Sequence, residues 1–338
     1  MQSVVAMRVV TADGTVRTLG STNADMDELE REMWWGCRGA AAALAVVTAV
    51  TLRAYQIPKT VEHGRLIHPP SPNAAAAADR LTAIEAIARG LPEGIQVDVC
   101  ATRGAGGGGG GGVTLGVFPC AVDGDLPADV ARKLGLETKH LTKSRYCDVP
   151  YHSMLPDDGD GDGDGDGDEN SAPGDGDGVP SQATPGMFSY VRQWFVDELG
   201  ADGAAAVAAA AAAAPTDDSL IMMQHAGGAV RRGGPGGDDE TMAFPHREWE
   251  WSVVIIALWT DPGADSRSAA ESWADDAFDS LRGVGVGCYA VDIDRFRRPG
   301  NAAETETALA FGEENAARLR ELKRRVDPSN LFAAAAPL

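Results

Sequence analysis

The stretch that most limits how this chain can fold runs from Met26 to Pro58. Met26, Leu29, Met33 and Trp34 fall at i, i+3, i+7 and i+8, which is one face of a helix. That helix runs into Arg38-Gly39, then a run of mostly small residues from Ala40 to Ala45. A β-branched run follows, Val46-Val47-Thr48-Ala49-Val50-Thr51-Leu52, closed by Ile57-Pro58. The expected order is helix, small-residue turn, strand. A turn without bulky side chains lets backbone come close to a bound group, and it equally lets two elements pack tightly. On composition alone packing is the commoner use.

A chain of 338 residues with 44% hydrophobic content and seven tryptophans is long enough for two domains or one with a sizeable core. A net charge of -21 excludes a nucleic-acid backbone or an anionic membrane surface as expected partner, since both need a basic face. Part of that charge is local. Residues 157 to 177 hold nine aspartates and Glu169 against no basic residue, so without them the net charge is about -11, from -21 plus 10. Apart from the alanine tract, no apolar run reaches the roughly 18 residues of a membrane span, and the first eight residues do not read as a signal peptide. Cys37, Cys100, Cys120, Cys147 and Cys288 are odd in number and scattered, so neither a disulfide framework nor a metal site is expected.

Along the chain, Val4 to Leu19 reads as a β-hairpin about Ala12-Asp13-Gly14. Asn73 caps a helix running to Arg89, with Gly90 as its stop. Ile95, Val97 and Val99 alternate with polar residues as a strand, Val113, Leu115 and Val117 as another, and Ala128 to Gly135 as a short helix. The glycine run Gly106 to Gly112 reads as a flexible linker, since no Gly-Lys-Ser/Thr accompanies it to make a phosphate loop. The Asp-Gly repeats from Asp160 lack the aliphatic anchor of repeat-type calcium sites and read as a solvated loop. Phe188, Val191, Phe195 and Leu199 fit a helical face, although a strand near Ser189-Tyr190-Val191 remains open. Ala204 to Ala214 has helical propensity, and Leu220 to His225 and Trp249 to Trp259 read as strands. His246, beside a proline turn, reads first as a structural histidine and second as an acid or base. A last helix begins at Glu313-Glu314, ends at Lys323 to Arg325 with Pro328 as terminator, and turns Leu319, Leu322 and Val326 inward.

Several of these segments resemble one family. Trp34-Trp35-Gly36-Cys37-Arg38-Gly39 to Val46-Val47-Thr48 is similar to the Phe-Trp-Ala-x-Arg-Gly-Gly-Gly-Gly-Asn-Phe-Gly-Val-Val-Thr signature of berberine bridge enzyme-like FAD-linked oxidases. Gly39 is retained, and Ala40 to Ala45 stand where the remaining Gly-Gly-Gly-Asn-Phe-Gly would be. Ala243-Phe244-Pro245-His246-Arg247 with Trp259-Thr260-Asp261-Pro262, Gly287-Cys288-Tyr289, and Asn315, Arg318, Leu319, Lys323, Asp327, Pro328, Asn330 and Phe332 carry the likeness further. It covers residues 1–60 and 240–338 well and the middle loosely.

The resemblance implies an α+β protein built from the C-terminal part of a PCMH-type FAD-binding domain of the vanillyl-alcohol-oxidase kind, an antiparallel-sheet substrate domain with flanking helices, and a berberine-bridge-type C-terminal segment. Three parts are expected: 1–60, the partial FAD-binding domain; 61–275, the substrate domain with low-complexity inserts at 105–112, 157–180 and 203–214; and 276–338, the C-terminal segment. It implies FAD as cofactor, held by Arg38, Gly39, Ala40, Ala41, Val46 and Val47, and Tyr289 as the catalytic residue. A phenol of ordinary pKa near 10 needs donors or a cation nearby to work near neutrality. The implied reaction is hydride transfer from a small-molecule alcohol, sugar or alkaloid-like substrate to the flavin, with reoxidation by oxygen or another acceptor. The family's flavin domain begins well over a hundred residues earlier, so the chain is expected to start inside it. That, with Val291-Asp292 in place of an Asn-Tyr pair, supports an alternative: a non-catalytic remnant or incomplete chain lacking the flavin-attachment half. An acidic interaction protein acting through residues 157–177 has only charge in its favour.

Overall fold

The computed structural model describes residues 3–20, 25–104, 112–122, 124–149, 186–226, 230, 242–293, 301–333 and 338. Gly106 to Gly111 and the Asp-Gly repeats lie outside them.

The N-terminal hairpin forms as expected. Strand β1 (Val4–Val10) pairs antiparallel with β2 (Val16–Gly20), and Gly14 takes the left-handed turn position at φ 80°. Helix α1 (Glu28–Leu44) starts at Asp27, whose side chain accepts the Glu30 N–H while Glu30 reaches back to the Asp27 N–H. Strand β3 (Val46–Leu52) joins the other side of β1 and completes a three-stranded sheet in the order β2-β1-β3.

The expected turn at Ala40 to Ala45 is a correction. The chain departs from helical geometry only at Arg38, Gly39 and Ala40, then resumes helix to Leu44, and the Ala45 N–H bonds to the Ala41 carbonyl. Alanine in place of glycine has the best helical propensity, which explains why this run stays helical.

The second layer system is larger. Its strands are β4 (Val61–Gly64), β5 (Leu66–Ile67), β6 (Ile95–Arg103), β7 (Val113–Ala121), β8 (Leu141–Ser144), β9 (Phe188–Val196), β10 (Leu220–His225), β11 (Trp251–Trp259) and β12 (Gly285–Gly287). They run β12-β9-β11-β10-β6-β7-β4-β8, with β5 on β7, and every pairing among the described residues is antiparallel. Residues 187–199 are therefore strand at their centre, not helix. Trp194 and Phe195 point to opposite faces and both are buried, so burial on two sides hides the period of two from the sequence.

One face of this sheet is covered by α2 (Ala74–Ala88), α4 (Gly200–Ala212) and α5 (Ala264–Ser280), with the short α3 (Ala128–Lys133) at one end. Asn73 caps α2 through the Ala76 N–H as expected. Val97, Val99, Ile221, Met223, Val253, Ile255, Trp194 and Val196 face these helices in one core. Alternation turns Asp98, Cys100, Met222, Ser252, Gln193 and Phe195 to the opposite face.

A second core joins the two ends of the chain. Helices α6 (Asn301–Phe311) and α7 (Glu313–Val326) return to the N-terminal unit, where Leu319, Leu322, Ala316 and Phe311 pack with Met33, Trp34, Trp35 and Leu44. Gly36 makes the close approach: a Cβ there would lie 2.7 Å from Leu322 Cδ2 and 2.8 Å from Leu44 Cδ1. No helix among the described residues is long and apolar enough to cross a membrane.

Candidate functional site

The interruption in α1 is what builds the site. Arg38 (φ -82°, ψ 46°), Gly39 (φ 171°, ψ -38°) and Ala40 (φ -127°, ψ 27°) break the helical ladder and turn carbonyls outward. Two carbonyls freed at the break, those of Trp35 and Arg38, find partners in another segment: Ala243 N–H donates to Trp35 O at 3.1 Å and Phe244 N–H to Arg38 O at 3.4 Å. The Ala243 carbonyl accepts from Asn315 Nδ2 of α7 at 3.2 Å. Residues 243–244 are thus clamped between α1 and α7. Gly39 permits it, because a Cβ at that position would lie 2.7 Å from Phe244 N and 3.1 Å from Ala243 C.

Held this way, the segment delivers Phe244 and His246 into an aromatic cluster centred on Phe195. Ring centroids lie 5.7 Å from Phe195 to Phe244, 4.5 Å to Trp249 and 4.5 Å to Tyr289. Phe244 and Tyr289 lie nearly parallel, 15° apart at 5.9 Å. Tyr289 is outside strand structure: β12 stops at Gly287, and Tyr289 precedes the 3-10 turn Ala290–Asp292. Its backbone N–H donates to Gln193 Oε1 at 2.7 Å, and Gln193 Nε2 donates to Ser252 Oγ at 3.3 Å, so the turn is tied to the open face of the sheet. Tyr289 itself is 38% exposed.

His246 is held structurally. Its Nε2 lies 2.8 Å from Leu309 O and 3.0 Å from Ala310 O, so that nitrogen carries the proton. Burial pushes its pKa down, against the pull of the two carbonyls, and the ring is neutral near pH 7. Gly287 leaves room for the imidazole, which a Cβ there would overlap.

The residues that the resemblance assigns to a cofactor do not share one environment. Arg38 is buried, with its guanidinium 4.4 Å from the Trp34 ring centroid and Nε donating to Trp34 O. Ala40 belongs to the terminal core. Gly39, Ala41 and Val47 are half-buried, and Val46 is exposed at the start of β3. The structure brings Arg38, Gly39 and Tyr289 to one locus through residues 243–246; Val46 and Val47 lie beyond it on β3. Sequence reasoning gave no site role to Phe195, Gln193 or Phe244, although Phe244 belongs to a segment that carries the family likeness.

Further across the open face is a cavity of about 210 Å³, lined by Asp98, Cys100, Phe118, Leu220 and Met222, with His63 and Tyr146 at its walls. Burial raises the Asp98 carboxyl from 3.8 to about 6, although the His225 N–H bonds to it at 3.0 Å. Among the described residues no group of three His, Cys, Asp or Glu side chains is placed to hold a metal ion.

A helix pair joining both chain ends to a small sheet, beside a large helix-backed antiparallel sheet, is the fold of the berberine bridge enzyme-like proteins. Structures with this fold include BBE-like #28 from Arabidopsis thaliana, 15% identical with a TM-score of 0.70 over 99% of this chain and 67% of that one. Berberine bridge enzyme from Eschscholzia californica is also 15% identical with a TM-score of 0.70, over 100% and 66%. Phl p 4, a grass pollen allergen with glucose dehydrogenase activity, gives 15% and 0.70 over 99% and 64%. This chain therefore spans about two thirds of the length of each. No curated protein matches the sequence. Residues 302–337 match the family model for berberine and berberine-like segments. The chain thus has the fold of the berberine bridge enzyme-like proteins and carries their C-terminal segment at residues 302–337.

Proposed function

We propose that the chain is part of an FAD-dependent oxidoreductase acting on an alcohol, sugar or alkaloid-like small molecule. The observation that carries this is the convergence of the α1 kink and Tyr289 on residues 243–246. Activities named for proteins of this fold, on glucose and reticuline, support the substrate class.

A flavin ring needs a flat approach free of bulky side chains. The half-buried Gly39 and Ala41, with Val46 exposed beside Val47, fit that requirement. Gly39 and Ala41 would line the approach to the ring, the buried Arg38 and Ala40 shape the backbone beneath it, and Val46 and Val47 would extend that surface along β3. When bound, FAD supplies a two-electron acceptor for the substrate's hydride. Tyr289 offers a phenol at the rim of the aromatic cluster that, as the phenolate, would take the substrate's hydroxyl proton. Phe195 and Phe244 pack against its ring, and Gln193 fixes its backbone.

One observation favours the second reading, a non-catalytic chain: the Ala243–Phe244 backbone already accounts for Gly39 without a ligand. Titration of the purified chain with FAD separates the two. Bound, colour-shifted flavin that is bleached anaerobically by an alcohol or sugar is expected, and Tyr289→Phe should slow the bleaching by about 10²–10⁴-fold with FAD retention unchanged. A chain that stays colourless with FAD and leaves it oxidised rules the enzyme reading out for this polypeptide.

A further inference from the structure

The cavity at Asp98 lies on the same open face as Tyr289 but well away from it. Gln193 on β9 and Asp98 on β6 are separated by three strand steps, through β11 and β10. At about 4.8 Å per step that is about 14 Å. The cavity has its own walls: His63 from β4, and Tyr146 from the 3-10 turn Tyr146–Asp148.

Its chemistry is one-sided. Phe118, Pro119, Leu220 and Met222 make it largely apolar, and among the described residues neither lysine nor arginine lines it. Asp98 is a carboxyl group inside this apolar space. Its Oδ1 accepts the His225 backbone N–H at 3.0 Å, while Oδ2 has no hydrogen-bond partner among the described residues. A carboxylate so placed is costly unless a positive charge or donors reach it. Among the described residues, Asp98 receives one backbone donor and faces no lysine or arginine in the cavity wall. A ligand bringing an ammonium group would complete the site, and the Phe118 and Tyr146 rings would favour the same cation. A neutral alcohol would supply a hydrogen bond without the charge. At about 210 Å³ the space is below the roughly 300–1,000 Å³ of drug-sized sites, which limits the ligand to about one ring with a short chain.

We propose that this cavity binds a small protonated organic amine, its ammonium on Asp98 Oδ2 and its apolar body against Phe118, Leu220 and Met222. The site stands independently of flavin binding. Its test is calorimetric titration of the chain with 2-phenylethylammonium and, separately, with neutral 2-phenylethanol. The ammonium should bind, with the alcohol at least about tenfold weaker. Asp98→Asn keeps an acceptor for the His225 N–H and should weaken ammonium binding about ten- to hundredfold, the range for a hydrogen bond to a charged group. Met222→Trp fills the cavity from β10 with Asp98 intact and should remove binding, with far-UV circular dichroism confirming the fold of each variant. Equal binding of alcohol and ammonium by the unaltered chain overturns the proposal. So does undiminished binding in either folded variant, or no ammonium binding at millimolar concentration.

Discussion

Gly39 shows what a single missing Cβ does here. Its φ of 171° is extended backbone open to any residue, so the demand for glycine is steric and comes from Phe244 N at 2.7 Å and Ala243 C at 3.1 Å. Backbone atoms held by hydrogen bonds on both sides yield little. Gly39→Ala should destabilise the chain by about 1–3 kcal/mol, the cost of overpacking, read as a lowered midpoint in urea. Asp98 gives a pH signature. Its carboxyl is raised from 3.8 to about 6, so between those values the folded state holds the proton more tightly than the unfolded one. Stability therefore falls as pH rises through that window, and above it the buried charge costs about 3 kcal/mol at about 1.36 kcal/mol per pH unit. Asp98→Asn should flatten that slope in urea midpoints measured from pH 4 to pH 7.5. Neither effect was legible in the sequence. Gly39 was legible as a special position, but its partner lies some two hundred residues away; Asp98 looked like one polar residue in an alternating strand.

At the scale of elements, α7 is where prediction from sequence succeeded best and where packing added most. Its acidic start, basic end and inward Leu319, Leu322 and Val326 are all found. What sequence could not supply is the buried junction at its end. Lys323 Nζ donates to Asp327 Oδ2 at 2.6 Å, to Ala43 O at 2.7 Å and to Phe332 O at 3.2 Å, while Asp327 also accepts the Leu331 and Phe332 N–H groups. One ammonium thus ties the last turn of α1 to the C-terminal loop. Burial pushes the Asp327 carboxyl up, but the bonds from Lys323, Phe332 and Leu331 outweigh it and hold it below the ordinary value. The stability this provides is present above about pH 4 and is lost as pH falls toward the lowered folded value. Lys323→Met strands a buried carboxylate and should cost about 3–5 kcal/mol, as for removing one partner of a buried pair; thermal unfolding at pH 7 measures it. The alanine tract tells a complementary story. Low complexity alone said little, yet α4 packs Ala204, Val207, Ala208 and Ala211 into the main core, and Glu85 of α2 accepts its leading Leu199 and Gly200 N–H groups at 2.5 and 2.9 Å. A buried carboxylate at a helix N-terminus satisfies orphan donors that no local cap supplies.

At the scale of the molecule, the described residues form two cores with different topological costs. The larger is built by residues 61–281 around the nine-stranded sheet, and the smaller needs both ends of the chain at once. Arg318 of α7 lies 3.9 Å from the Trp35 ring centroid and bonds Glu32 through both Nε and Nη2, closing a loop of nearly the full sequence. Removing residues 312–338 should therefore strip hydrogen-exchange protection from α1 and β1 to β3 while leaving β6, β10 and β11 protected. Equal loss across both regions would show that the cores fold as one unit.

The sequence by itself determined the hairpin, the capped α2, the final helix and the resemblance that first pointed to this fold, because each is written in local spacing or in residues close along the chain. Tertiary structure decided that Ala40 to Leu44 is helix, that 188–196 is strand, and that Arg38, Gly39 and Tyr289 meet on residues 243–246. It also placed Asp98 in a largely apolar cavity. These depend on which distant segments bury which faces, and burial on both sides of an element erases the periodicity by which sequence announces it.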